Sequence, residues 1–144
     1  MVDMSTFEVL EAYAMLRREI GLIRATELKN HGFSYKQMMI LFRLSSADAT
    51  MGDLADFTMS DKASTTRAVE TMEQAGLIKR VSDPHDRRKV IVALTPKGKL
   101  KSVKALEIRD HIGKRVNESL TLNERRELSR LLRKVVGGLQ ENRT

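Results

Sequence analysis

Ser82-Asp-Pro-His-Asp-Arg-Arg-Lys89 concentrates more reactive and charged side chains than any other stretch of the chain. Asp83-Pro84 initiates a turn, and Asp86 can close it by hydrogen-bonding its own backbone. The flanking runs, 77–81 and 90–94, carry the β-branched residues Ile78, Val81, Val90, Ile91 and Val92. Such residues suit a pleated, half-buried surface. A β-hairpin over 77–94 is therefore predicted, with Arg87, Arg88 and Lys89 at or near its tip. A narrow projection that concentrates cations is shaped for a groove of opposite charge, so nucleic acid is the leading partner.

A second constellation lies just before it. Residues 52–74 read as a helix, a tight turn and a second helix that begins Asp61-Lys-Ala-Ser-Thr-Thr-Arg67. Ser64, Thr65 and Thr66 crowd one helical turn, with Lys62 and Arg67 beside them. Serine and threonine are mediocre inside helices. They make sense where a helix must approach DNA closely, bonding phosphates or bases while arginine pairs with guanine. Ala68, Val69 and Met72 would then turn inward. Taken alone, the pattern also fits a solvated amphipathic helix. The basic hairpin that follows at once favours the DNA reading.

Other chemistry finds little support. No nucleophile and base are paired in sequence, and no glycine-rich phosphate loop or dinucleotide fingerprint is present. No enzymatic activity and no cofactor are expected. His31, His85 and His111 are scattered, and the chain has no cysteine, so no metal site, disulfide or thiol switch is expected. Eight methionines at helical spacings read as core. Lys97, Lys99, Lys101 and Lys104 crowd the start of a helix, where they would either meet phosphate or form a solvated face. Lys36 and Gln37 begin a helix whose N-terminus favours an anion.

These elements sit in a mainly helical frame. Ser5-Thr-Phe-Glu8 has capping-box spacing and opens a helix of about 24 residues that ends at Gly32. Its seam is Val9, Tyr13, Leu16, Ile20 and Ile23, beside a second stripe of Phe7, Leu10 and Ala14. Ser34 and Gln37 cap a densely apolar helix through Leu44. Residues 45–49 read as a polar connection, and Thr50 with Asp53 caps a short helix to Phe57. Ser60 is the expected cap of the helix that ends before Gly76. Thr95-Pro96 starts another helix to about Asn117. Thr121 and Glu124 cap a last one carrying Leu128, Leu131, Leu132, Val135, Val136 and Leu139, which stops at or soon after Gly137-Gly138. The order is four helices, a hairpin and two helices.

A chain of 144 residues holds one ordinary domain with a real core. A net charge of +7 favours polyanionic partners. The N-terminus shows no secretory pattern and no apolar run spans a bilayer, so a cytoplasmic protein without a membrane partner is expected.

Asp53-Leu-Ala, Ser60 to Arg67, Gln74-Ala-Gly-Leu-Ile-Lys-Arg80, Asp83-Pro-His-Asp-Arg-Arg88 and Leu94-Thr-Pro-Lys-Gly98 together resemble the MarR family of bacterial transcriptional regulators. Asp86-Arg87-Arg88 followed by Leu-Thr-x-x-Gly is the most specific part, and the order of helices extends the resemblance over essentially the whole chain. The resemblance implies a mainly α fold with a small β-wing. One MarR-type domain over 1–144 would comprise a winged helix-turn-helix over 33–98 and a helical dimerisation region from 1–32 and 99–144. It implies that Arg88 reaches the minor groove, that Asp86 holds the wing arginines, and that Ser64 to Arg67 face the major groove. Lys62, Ser64, Thr65, Thr66, Arg67, Arg87, Arg88 and Lys89 are the candidate DNA-binding residues. It also implies a homodimer on a pseudo-palindromic operator, probed by recognition helices roughly 34 Å apart. Repression of transcription, relieved by a small aromatic or lipophilic acid, follows from the same resemblance. The alternative is a winged-helix protein-interaction module that does not read DNA sequence.

Overall fold

Helix α1 (Glu8–His31) stops where Gly32 adopts φ 68°. The Gly32 amide donates to the Lys29 carbonyl and the Phe33 amide to the Leu28 carbonyl, a Schellman closure over two buried side chains. Helix α4 (Lys62–Gln74) ends the same way. Gly76 stands at φ 74°, and the Leu77 amide donates to the Met72 carbonyl at 3.0 Å. Helix α3 (Met51–Thr58) repeats the device with Met59 at φ 52°. A side chain in that conformation costs about 1–2 kcal/mol where glycine would not.

This closure moves a cap. The Ser60 amide donates to the Ala55 carbonyl at 3.0 Å, so Ser60 completes the end of α3. The expected cap of α4 therefore passes to Asp61, whose carboxylate accepts from the Ser64 amide at 2.7 Å. Ser5 is not a cap either. A 3₁₀ turn over Met4–Phe7 takes its place, capped by Asp3, and Phe7 offers α1 no side-chain cap. The other three boxes form: Ser34 with Gln37 on α2 (Tyr35–Ser46), Thr50 with Asp53 on α3, and Thr121 with Glu124 on α6 (Leu122–Glu141). Helix α5 covers Pro96–Asn117.

Three antiparallel strands lie in the order β1-β3-β2, from β1 (Ala49–Thr50), β2 (Ile78–Ser82) and β3 (Val90–Leu94). Val81 faces Ile91 in the hairpin, and Ala49 faces Val92. Strand β1 corrects the polar connection read at 45–49, whose first two residues belong to α2. Two residues paired to a strand forty positions away leave no local periodicity to detect.

The structure, a computed structural model, describes residues 1 and 3–143. It divides into two compact units, Met1–Asp110 and His111–Thr144. In the first, Ile40, Leu41, Leu54, Val69, Met72 and Val92 are fully buried, so α2, α3, α4 and the sheet share one core. Two apolar stripes stay outside. Along α1, Val9 and Tyr13 are 65% and 55% exposed. In the second unit no residue of α6 is buried, and Leu128, Leu131, Leu132, Val135, Val136 and Leu139 are all exposed. No described helix is long and apolar enough to cross a membrane.

Gly98 is the most tightly approached of the glycines: a Cβ there would lie 1.8 Å from the Leu77 carbonyl oxygen. Gly98→Ala must separate α5 from the base of the hairpin, and should destabilise the protein by about 2 kcal/mol or more in urea denaturation. Gly52→Ala is the matched control. Its nearest neighbour is Thr50 Oγ1 at 3.7 Å, and its stability should stay within about 0.5 kcal/mol of wild type.

Candidate functional site

The site starts from the first turn of α4. Asp61 caps it, Lys62 and Arg67 are exposed, and Ser64 and Thr66 are half-buried. Thr65 departs from the sequence expectation of a DNA-facing residue. It is only 1% exposed, and its hydroxyl donates to the Asp61 carbonyl at 2.9 Å. The reason is helical geometry: Thr65 precedes Val69 by four positions and Met72 by seven, so all three share the inward face. Thr66 also bonds its own helix, donating to the Lys62 carbonyl at 2.8 Å. Ser64 differs. Its hydroxyl oxygen accepts from Lys36 Nζ, which reaches across from the first turn of α2. Gln37, the neighbour of Lys36, closes the capping box of α2 instead.

Asp61 is held below the usual carboxylate range, mainly by the Ser64 amide, with help from the charges of Arg67 and Lys36. The start of α4 thus gathers Lys36, Asp61, Ser64 and Arg67 into one electrostatic cluster. Three of these were singled out from sequence; the cap was expected one residue earlier.

The wing tip is built by backbone bonds. The Asp83 amide donates to the Lys89 carbonyl at 3.0 Å, and the Lys89 amide to the Asp86 carbonyl at 2.9 Å. The Asp83 carboxylate accepts from the His85 amide at 2.8 Å, and the Asp86 carboxylate from the Arg88 amide at 3.0 Å. His85 fills a turn. Asp86 Oδ1 also lies 4.0 Å from Arg88 Nε, while the Arg88 side chain remains 95% exposed. Arg87 and Lys89 are exposed as well. The charge of Lys89 helps hold down the carboxyl of Asp53, after the larger contributions of the Thr50 amide and hydroxyl.

Helix and wing are joined first by a pair that sequence reasoning missed. Glu73 on α4 accepts from Arg80 on β2 at 2.9 and 3.2 Å through the guanidinium, and at 3.2 Å from the Arg80 amide. At the hairpin base the Thr95 hydroxyl donates to the Gly76 carbonyl at 2.6 Å and the Thr95 amide to the Leu77 carbonyl at 3.0 Å. Lys97 Nζ donates to the Ala75 carbonyl at 2.9 Å. The lysine run therefore has partners within the protein: Lys97 on the Ala75 carbonyl, Lys101 over the Phe33 ring at 4.7 Å, and Lys104 on Glu107 at 2.7 Å, the last an exposed pair. Glu73 and Arg80 are seven residues apart on different element types, which gives no sequence spacing rule for their pairing.

Helix, turn, helix and basic hairpin now stand in order. The model of the MarR family matches residues 31–89. The transcriptional regulator BldR from Sulfolobus solfataricus is 28% identical over 92% of this chain and 95% of its own, with a TM-score of 0.77. A MarR transcriptional regulator from Methanosarcina mazei is 28% identical over 92% and 96%, with a TM-score of 0.78. Residues 31–89 thus match the MarR family, and most of the chain shares the fold of solved MarR-type regulators. It has the elements of a winged-helix MarR regulator, six helices and a small three-stranded antiparallel sheet. A mutant MarR from E. coli complexed with operator DNA shares the fold, at 21% identity over 93% and 99% and a TM-score of 0.78. No protein of curated function matches the chain.

The Glu73–Arg80 tie has a pH signature. Hydrogen bonds from Arg80, then its charge, hold the Glu73 pKa below its ordinary 4.5. A depressed carboxyl stabilises fully above the ordinary value and loses that effect as pH falls through the lowered one. Protection of the Arg80 amide in hydrogen exchange should therefore be constant above pH 4.5 and decline below it. Glu73→Gln should remove this pH dependence.

Proposed function

We propose that the protein is a homodimeric regulator of transcription that binds double-stranded DNA by sequence. One observation carries this reading: an exposed polar and cationic helix start and an arginine-tipped wing are held in one frame by the Glu73–Arg80 pair and the Thr95 clasp. Lys62, Ser64, Thr66 and Arg67 face the major groove in this reading. Arg87, Arg88 and Lys89 follow the wing to the minor groove and phosphates, with Asp86 restraining Arg88. Phosphate neighbours supply affinity, and base edges supply selectivity.

The exposed apolar stripes of α1 and α6 support the homodimer. Water-facing Val9, Tyr13, Leu131 and Val135 at helical spacing suit a partner's helices better than solvent. Residues 33–98 are then the DNA-binding region, with 1–32 and 99–144 for dimerisation. Two-fold symmetry calls for a pseudo-palindromic operator. Occupying it represses by occlusion.

An effector acts by favouring one separation of the two recognition helices over another. An open groove between α2, the sheet and α5, with Leu44, Leu94, Val103 and Leu106 beside Lys79 and Lys99, suits a small aromatic or lipophilic acid. The protein-interaction reading is weaker. A wing that had left DNA would have no use for two adjacent exposed arginines.

The test is operator binding. A duplex selected from random sequence by the wild-type protein should bind with a log–log salt slope that grows with each phosphate contact. Arg67→Ala and Arg88→Ala should each weaken it by about 1–3 kcal/mol at physiological salt. Unchanged affinity in both variants would remove these roles. Sedimentation should give twice the chain mass.

A further inference from the structure

The hydroxyls at the start of α4 are not equivalent. Thr65 and Thr66 give their protons to the Asp61 and Lys62 carbonyls, so neither proton is free for a partner. Ser64 accepts from Lys36, and among the described residues its own proton goes to no backbone carbonyl. A lysine ammonium has three donors and no acceptor, whereas a hydroxyl has one proton and two lone pairs. At the Lys36–Ser64 contact the serine must therefore be the acceptor. One lone pair is taken, and the O–H is turned away from Lys36.

We propose that Lys36, acting across the α2–α4 contact, directs the Ser64 O–H toward DNA as a hydrogen-bond donor, so that Ser64 favours an acceptor over a donor. Lys36 is thus a positioning residue that sets polarity at the recognition helix. The inference rests on the DNA-binding reading above and deepens it. The shared chemistry of the target is an acceptor oxygen or nitrogen. It can be a phosphate oxygen or a major-groove acceptor such as guanine O6 or N7, thymine O4 or adenine N7.

Two further features fit. Ser64 is half-buried, so its rotamer is confined and its direction is set by few neighbours. Its amide is already bound to the Asp61 carboxylate, which pins the backbone from which the hydroxyl projects. Without Lys36 the same hydroxyl could turn back onto its helix, as those of Thr65 and Thr66 do.

The experiment is a double-mutant cycle on the selected operator and on random duplex, with Lys36→Met, Ser64→Ala and the double variant. Matching thermal melts check that each variant is folded. Lys36→Met should weaken operator binding about fivefold, the size of one hydrogen bond, and Ser64→Ala by a similar factor. The double variant should be no weaker than either single one, because Lys36 acts through Ser64. Lys36→Arg keeps a donor and should restore most of the affinity. If the acceptor is a base, duplexes reselected with Lys36→Met lose preference at one position in each half-site. If it is a phosphate, operator and random duplex weaken equally, and the cycle is still non-additive.

Additive losses, with a salt slope lower by about one for Lys36→Met, would make Lys36 a direct phosphate contact and overturn the proposal. An unchanged Lys36→Met would overturn it too. Wild-type protein that binds no duplex would instead remove the DNA reading, and this inference with it. Wild-type binding that is weakened by Arg88→Ala but not by Lys36→Met sinks the inference alone.

Discussion

The approach of Gly98 to the Leu77 carbonyl is the constraint on which the site depends. At that point the end of α4, the start of β2, the end of β3 and the start of α5 meet. The Leu77 carbonyl also accepts from Thr95, and the carbonyls of Ala75 and Gly76 accept from Lys97 and Thr95. A two-stranded hairpin alone is marginally stable in water. Here its base is bound on one side to α4 and on the other to α5. A Cβ at residue 98 would occupy the space of the Leu77 carbonyl, so the geometry requires glycine. The Leu-Thr-Pro-Lys-Gly run, which in sequence looks like a simple helix start, is the clasp that holds the wing.

Four acids near the site are each hydrogen-bonded within the protein. Asp61 binds the Ser64 amide, Asp86 the Arg88 amide, Asp53 the Thr50 amide and Glu73 the Arg80 guanidinium. Bonds of this kind favour the charged carboxylate, and the carboxyls of Asp53, Asp61 and Glu73 are held low. Each negative charge is answered by a donor beside it. Lys62, Arg67, Arg87 and Arg88 are left facing outward.

Much of this was legible along the chain. Ser34 with Gln37, Thr50 with Asp53 and Thr121 with Glu124 are local signals, complete within four residues, and each forms its box. Gly32 and Gly76 announce helix ends because left-handed backbone favours glycine. The hairpin followed from β-branched residues around a turn. Met59 hid the third Schellman closure, since nothing local marks methionine for φ 52°. That concealment displaced the expected cap from Ser60 to Asp61. Thr65 was misplaced for another reason: a polar residue on an inward face looks like its outward neighbours until the helix has a phase.

Local chemistry in the sequence determined the order of elements, most of their ends and the cationic character of the turn and wing, because caps, turns and periodicities act over a few residues. Tertiary structure decided which hydroxyls face inward, that Lys36 meets Ser64, that Glu73 ties to Arg80, and that β1 joins the sheet. Those outcomes depend on packing between elements far apart in the chain, where distance in space bears no relation to spacing in sequence.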